Sequence, residues 1–195
     1  MVFIVLIIIL GIIFYPYIAT AVANRKMIAK LRRIAKREAY NIIPLRRFLW
    51  IPRNFLKKYD FLIEGRGNTI AVKLFSSVKR NSCLTIRSDG TAIITAKEKK
   101  PMDIVRTGRS QKGIERILGK PIKLSEIEEN WNPQTEKNIE QAILIYPRFC
   151  GLFFSDGRDS TDIDSGVTLF GKTIYTPYGL EQKMRISAKA LPSGK

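Results

Sequence analysis

The residues best suited to chemistry by type and spacing are three acids and one lysine in the first third of the chain. Glu38 lies in a predicted basic helix, Asp60 begins a predicted strand that also carries Glu64, and Lys73 lies in the following strand. Carboxylate oxygens that converge at one strand end can hold Mg²⁺, and a metal-bound water is a strong nucleophile at neutral pH. Asp60, Lys73, Glu38 and Glu64 are therefore the candidate catalytic residues.

The order of these residues resembles the core of the PD-(D/E)XK, or restriction-endonuclease-like, nucleases over residues 27–96. The resemblance implies that Asp60 matches the family aspartate, Lys73 the lysine that polarises the attacking water, and Glu38 the helix acid. The sequence departs from the family at Ala71, which stands where a second metal-binding carboxylate is expected, and Glu64 on the facing strand is the nearest substitute. The resemblance thus implies a degenerate relative that binds nucleic acid, with Mg²⁺ needed only if it cleaves.

Other kinds of site are largely excluded by composition. The chain has no histidine, which removes His-based triads, imidazole bases and His-containing zinc sites. Two cysteines, Cys83 and Cys150, are too few for a disulfide framework, and we expect both to be small core residues. An acidic run lacks the ordered EF-hand pattern and predicts a solvated turn; its members are Asp156, Asp159, Asp162 and Asp164. The leading hypothesis accordingly has no catalytic residue, no cofactor and no metal.

Positive charge is concentrated in one segment. The 195 residues include 34 Lys and Arg against 17 Asp and Glu, giving a net charge of +17, and residues 25–58 hold twelve of these cations with a single acid. Met27, Ile28, Leu31 and Ile34 have helical spacing, which predicts a basic amphipathic helix suited to anionic lipid headgroups. Nucleic acid is the alternative partner. The candidate contacts are Arg25, Lys26, Lys30, Arg32, Arg33, Lys36, Arg37, Arg46 and Arg47.

The segment before these cations predicts a single membrane-spanning helix. Residues 1–24 carry no charged side chain, and residues 2–23 would extend about 33 Å as a helix, enough to cross a bilayer core of ~30 Å. The cations follow the apolar run instead of preceding it, which argues against a cleaved signal peptide and predicts an outside N-terminus with a cytoplasmic C-terminal domain. Pro16 either kinks this helix, or residues 14–17 mark the membrane interface.

The remaining sequence predicts a small α+β domain with consecutive β-hairpins and one or two helices. Two hairpins are expected, over residues 59–75 and 82–96, because β-rich runs flank Gly-containing turns. Residues 45–51 predict a packed connector of about one helical turn, and residues 135–146 predict a helix whose end could equally be a buried strand. A strand pair around residues 171–172 and a final helix from Tyr178 complete the domain.

These elements predict four segments: a transmembrane helix (1–24), a basic juxtamembrane helix with its connector (25–58), a cytoplasmic α+β domain (59–186) and a flexible tail (187–195). The leading functional hypothesis is a single-pass membrane protein whose basic helix lies on anionic lipid and presents a binding or scaffolding domain. The sequence does not identify a protein partner. The alternative is a membrane-tethered, degenerate nuclease-like domain that contacts nucleic acid.

Overall fold

The computed structural model describes residues 2–65, 68–79, 81–97, 115–128, 139–147, 149–156 and 160–190. Within these residues two α-helices and two β-sheets form a mixed α+β fold. The helices are α1 (Val2–Arg37) and α2 (Pro177–Ala190), with a short 3-10 turn at Leu124–Glu126. The strands are β1 (Asn41–Pro44), β2 (Phe61–Gly65), β3 (Asn68–Phe75), β4 (Ser82–Arg87), β5 (Thr91–Lys97), β6 (Glu115–Ile117), β7 (Ile122–Lys123), β8 (Ile139–Ile145), β9 (Phe149–Ser155), β10 (Ser160–Asp162), β11 (Thr168–Leu169) and β12 (Lys172–Tyr175).

Both sheets combine hairpins with long-range parallel pairs. The first sheet has the order β1-β2-β3-β8-β12-β11, in which β3, β8 and β12 run parallel and the other neighbours are antiparallel. The second sheet has the order β10-β9-β4-β5-β6, with β7 also beside β5, and its β4 and β9 are parallel. The chain therefore passes twice from the first sheet to the second, from β3 to β4 and from β8 to β9.

The elements pack in three layers. Alternate residues of the first sheet, such as Ile63, Val72 and Leu144, face a core shared with α2 and the second half of α1. The opposite face, including Ala71 and Ile143, packs against the second sheet. Both faces of the first sheet are buried in this way, which is usual for strands in parallel pairs.

The first helix is continuous where the sequence predicted two helices. α1 runs unbroken for 36 residues, through Pro16 and across the predicted boundary at residue 24. Its first buried residue, among the side chains that can be described, is Thr20, whose hydroxyl donates to the Pro16 carbonyl at 2.8 Å. Across the described part of the chain, no helix is both long and apolar enough to cross a membrane. The membrane span stays a prediction.

The amphipathic half of α1 belongs to the domain core. Met27, Ile28, Leu31, Ile34 and Ala35 are all buried in the layer between α1 and the first sheet. The apolar stripe that the sequence assigns to a lipid surface packs on the sheet, which removes the stripe from water. Docking of the helix on anionic lipid stays a prediction. Only the cationic side of the helix remains outside.

The two predicted hairpins are confirmed as β2–β3 and β4–β5, and so are the β11–β12 pair and the final helix. Residues 45–51 form no helix but contain one hydrogen-bonded turn, in which the Ile51 amide donates to the Phe48 carbonyl at 3.3 Å. Residues 139–145 are strand β8, so the strand alternative is correct for the end of the predicted helix, and the helix itself is wrong over residues 139–141. The final helix extends to Ala190, so residues 187–190 are helical where a flexible tail was expected. Residues 191–195 and 135–138 lie outside the described part of the chain.

Candidate functional site

Two of the four predicted catalytic residues lie side by side. Phe61 pairs with Val72 across β2 and β3, and the Asp60 amide donates to the Val72 carbonyl at 2.8 Å, so that Asp60 lies opposite Lys73. Lys73 Nζ is 3.4 Å from Asp60 Oδ2, and the two side chains are 0% and 1% exposed. Burial lowers the pKa of Lys73, and the adjacent Asp60 carboxylate opposes that shift.

Both carboxylate oxygens of Asp60 already accept hydrogen bonds within the protein. Its Oδ1 accepts from Arg46 Nε at 2.5 Å, and its Oδ2 accepts from the Leu74 amide at 2.7 Å. The Arg46 guanidinium also donates to three carbonyls of the connector, those of Phe48, Leu49 and Ile51. This ion cluster, consisting of half-buried Arg46 with buried Asp60 and Lys73, ties the connector to the first sheet. Arg46 was expected on the binding surface, but its guanidinium is taken up by Asp60 and the connector carbonyls.

The other two acids lie at the opposite end of the same strands. Glu64 is opposite Thr69 and Asn41, four residues along β2 from Asp60, or about 13 Å away at ~3.3 Å per residue. Glu38 lies just past the end of α1 and accepts from Arg37 Nε at 3.2 Å. The four residues therefore do not converge. Among the described residues there is no group of three or more His, Cys, Asp or Glu that could hold a metal.

The aspartates of the acidic run that the structure describes lie in solvent as predicted, whereas only one of the two cysteines lies in the core. Asp156, Asp162 and Asp164 are exposed, and Asp159 lies outside the described residues. Cys83 is buried, as expected, but Cys150 is exposed, and their sulfur atoms are close together on neighbouring strands. The expectation that both cysteines are core residues is wrong for Cys150.

The predicted basic residues form a distinct concave site beside α1. Arg25 and Arg32, seven residues apart on one face of the helix, and Arg47 from the connector surround a groove of about 390 Å³. We call this the arginine groove. Its remaining walls are apolar or aromatic and comprise Ile28, Ala29, Pro44, Leu49 and Trp50. No acidic side chain is among the lining residues, so its potential is positive.

Aromatic rings position two of the three arginines. The Arg25 guanidinium carbon lies 5.8 Å from the centroid of the Trp50 ring, and that of Arg47 lies 5.4 Å from the centroid of Phe48. The two rings meet edge to face with centroids 5.5 Å apart. Cation–π contact of this kind restrains a guanidinium while its N–H groups stay available. The connector itself is held by Arg46 and by Asn24, which donates to the Trp50 carbonyl at 3.1 Å.

The other predicted cations surround this groove without lining it. They are all exposed on α1, and they are Lys26, Lys30, Arg33, Lys36 and Arg37. Lys30 is paired with Glu181 of α2 at 3.0 Å, and Arg37 with Glu38. The sequence shows the cations but not the groove, because no sequence pattern indicates that the connector folds back beside α1 and brings Arg47 to the groove that Arg25 also lines.

The groove has the donors for a phosphate group. Arginine presents a planar fork of N–H groups that matches two phosphate oxygens, and these hydrogen bonds are stronger than those between neutral groups. Three such groups line one acid-free concavity, which suits a ligand that carries a phosphate. Comparison with known proteins found no similarity: no family model matches the chain, and no curated protein or solved structure matches it.

Proposed function

We propose that this protein is a membrane-anchored binding domain whose arginine groove holds the phosphate of an anionic lipid headgroup. The observation that carries the proposal is the course of α1. One helix is apolar over its first half and exposed there at nearly all the side chains that the structure describes, then arginine-bearing and packed on the domain over its second half. The groove begins at Arg25, close to the point where the apolar half ends.

The exposure of the first half supports the anchor. Large apolar side chains are exposed on successive positions around the helix, among them Ile12 and Tyr15, each 70% exposed. A helix that is apolar on all sides is stable when buried, in a protein core or in lipid. None of the described side chains at positions 5–19 is buried by the domain. Insertion of this half into a bilayer would remove that surface from water.

The position of the groove supports a headgroup as its ligand. Arg25 follows Thr20, where α1 meets the domain, by five residues, or about 7.5 Å along the helix axis. With the preceding residues in the hydrocarbon, the groove lies at the level of the phosphates. Trp50 in its wall is a residue type enriched at that level. The cytoplasmic leaflet is the side that positively charged flanks favour, so the domain faces the cytoplasm.

The anchor is tested by expressing the full chain and washing the membrane fraction with alkaline carbonate. We expect wild type to stay in the pellet and Leu6→Arg/Ile9→Arg/Ile13→Arg to be released. This variant should keep the domain intact because all three side chains are exposed and precede Thr20, the first buried side chain among those described. Release of the wild-type chain by the wash would overturn the anchor.

The groove is tested by native mass spectrometry of the full chain in neutral detergent with added phosphatidylglycerol or phosphatidylcholine. We expect Arg25→Gln/Arg32→Gln/Arg47→Gln to weaken retention of phosphatidylglycerol by roughly 100-fold, at ~1 kcal/mol per cation. The matched control is Lys26→Gln/Arg33→Gln/Arg37→Gln, which removes the same charge from a neighbouring stripe of the same helix. It should weaken retention by about tenfold at most.

Equal losses in the two triple variants would mean diffuse attraction and would overturn the groove as the site. Retention of phosphatidylcholine equal to that of phosphatidylglycerol would do the same. A labelled DNA duplex is the competitor for the nuclease-like alternative. Displacement of the lipid by the duplex near physiological salt would assign the positive surface to nucleic acid instead.

A further inference from the structure

Two thiols lie within hydrogen-bonding distance on the outer face of the second sheet. Cys83 Sγ on β4 is 3.3 Å from Cys150 Sγ on the neighbouring parallel strand β9. Both cysteines are in the thiol form, with Cys83 buried and Cys150 exposed. We propose that Cys83 and Cys150 form an oxidation site that closes a reversible disulfide between β4 and β9. This inference is independent of the proposed lipid binding.

An irregularity in the strand pairing brings the two thiols together. On β4, Leu84 and Ile86 face the core while Cys83 faces outward, and on β9 Leu152 faces the core. Regular alternation from Leu152 would turn Cys150 inward, away from Cys83. The register shifts between Ser82, which pairs with Phe149, and Cys83, which pairs with Gly151. Cys150 is left as the extra residue, and such a bulge re-aims a side chain.

The bulge is held in place by a tight contact. A Cβ atom on Gly151 would lie 2.5 Å from Cε2 of Phe153, so the phenylalanine ring rests directly against the glycine. Phe153 and Cys83 line an open groove of about 490 Å³ on this face, with Thr85 and Ser155. Neighbouring strands lie ~4.8 Å apart and Cys150 is one residue, ~3.3 Å, along β9 from Gly151, so the two cysteine Cα atoms are roughly 5.8 Å apart, within the ~4.4–6.8 Å found across disulfides. A bond between the sulfurs therefore requires little movement of the backbone.

The oxidant we propose is a hydroperoxide, which would reach the exposed thiol first. Sulfur of Cys150 attacks one peroxide oxygen and the O–O bond breaks, leaving a sulfenic acid on Cys150 and releasing one water from hydrogen peroxide. Sulfur of Cys83 then attacks sulfur of Cys150, the S–O bond breaks, and the leaving hydroxide takes the Cys83 proton to form a second water. Two thiols are oxidised and one peroxide is reduced. A small dithiol reverses the bond by exchange.

The experiment treats the full chain in neutral detergent with hydrogen peroxide and measures intact mass and non-reduced peptides. We expect a loss of about 2 Da, the two thiol hydrogens, together with a peptide that joins Cys83 to Cys150. Dithiothreitol should restore the original mass. Sulfinic acid on Cys150 with Cys83 still free, or the absence of the joined peptide, would overturn the proposal.

The matched control moves one thiol along the same face of β4. Cys83→Ser/Thr85→Cys keeps two thiols on the outer face but separates them by two further residues, roughly 6.6 Å along the strand. We expect this variant to give no joined peptide and to trap the sulfenic acid of Cys150 with dimedone. Equal cross-linking in the control and in wild type would mean that the observed geometry does not direct the reaction.

Discussion

Asp60 and Lys73 form a buried ion pair across β2 and β3, with Lys73 Nζ 3.4 Å from Asp60 Oδ2 and Arg46 on the other carboxylate oxygen. The single carboxylate of Asp60 thus forms ion pairs with two cations, Lys73 and Arg46. The residues that resembled a nuclease centre hold the connector in place, and their geometry fits a structural role. The connector in turn carries Arg47 and Trp50 to the arginine groove.

We predict that Asp60→Asn is more damaging than Lys73→Met. The first change leaves buried Lys73 and half-buried Arg46 without a carboxylate and should lower the free energy of unfolding by about 3–5 kcal/mol. The second leaves Asp60 paired with Arg46 and should cost about 1–2 kcal/mol. Denaturant titration of the full chain in neutral detergent measures both. The reverse order of losses would show that Lys73, and not Asp60, is the centre of the cluster.

A second prediction concerns the end of α1. Ala39 has φ of 60°, and the Tyr40 amide donates to the Ala35 carbonyl at 2.7 Å, so the helix ends in a left-handed turn without a glycine. The left-handed conformation costs a residue with a Cβ atom ~1–2 kcal/mol, and glycine avoids this cost. Part of the gain is offset because a glycine makes the unfolded chain more flexible. Ala39→Gly should therefore stabilise the fold by about 0.5–1 kcal/mol in the same titration. Ala39→Val should destabilise it.

A third prediction uses the approach of Gly65 to the end of α1. A Cβ atom on Gly65 would lie 2.6 Å from Cδ1 of Tyr40 and 2.7 Å from the Ala39 carbonyl oxygen. Gly65→Ala should lower the free energy of unfolding by about 1–3 kcal/mol because the backbone contact cannot yield without moving β1. Thermal unfolding would detect the change. A midpoint equal to that of wild type would mean that the helix end and β2 are not in firm contact.

The contact between α1 and α2 should depend on pH. Glu181 accepts from Lys30 at 3.0 Å and from Arg185 at 2.6 Å, and the hydrogen bond from Lys30 lowers the pKa of Glu181 below its ordinary 4.5. Because the pKa in the folded state lies below that in the unfolded state, this contribution is present above pH 4.5 and disappears as the pH falls through the folded-state value. Wild type should lose more stability between pH 7 and pH 3 than Glu181→Gln does.

The control for this measurement is Glu126→Gln, which removes a carboxylate 2.9 Å from Lys57 where both side chains are largely in solvent. Such exposed pairs contribute little, so Glu126→Gln should follow the wild-type pH profile. A profile of Glu181→Gln that also follows wild type would contradict the prediction.

The hairpins could be predicted because their signals are local. Asp89 and Gly90 mark a tight turn, and β4 and β5 pair on either side of it as the sequence predicts. The strands that pair with the outer edges of each hairpin could not be predicted. Alternation of apolar and polar residues indicates which face of the sheet a residue lies on, but not which strand lies beside it. β8 joins β3 in register across some seventy residues, and its continuous apolar run looks the same in a buried helix and a buried strand.

The candidate site was also predictable only in part. Its cations can be read from the sequence, but the different positions of Arg46, beside Asp60, and Arg47, in the groove, cannot. The directions in which adjacent connector residues point depend on the tertiary fold. Cys150 meets Cys83 through one extra residue in β9. The apolar–polar alternation that predicts strand faces has a period of two, and it does not indicate where a one-residue bulge interrupts the pairing.

The unbroken course of α1 has a mechanical consequence. A helix of 36 residues is about 54 Å long, and this one is clamped to the domain through Thr20, Asn24 and the residues that follow. Rotation or tilt of its first half is therefore transmitted toward the first sheet through a continuous helix, in which Pro16 is the point that lacks a backbone hydrogen bond. The direction in which the exposed apolar half points therefore also determines the orientation of the arginine groove, because both belong to the same helix.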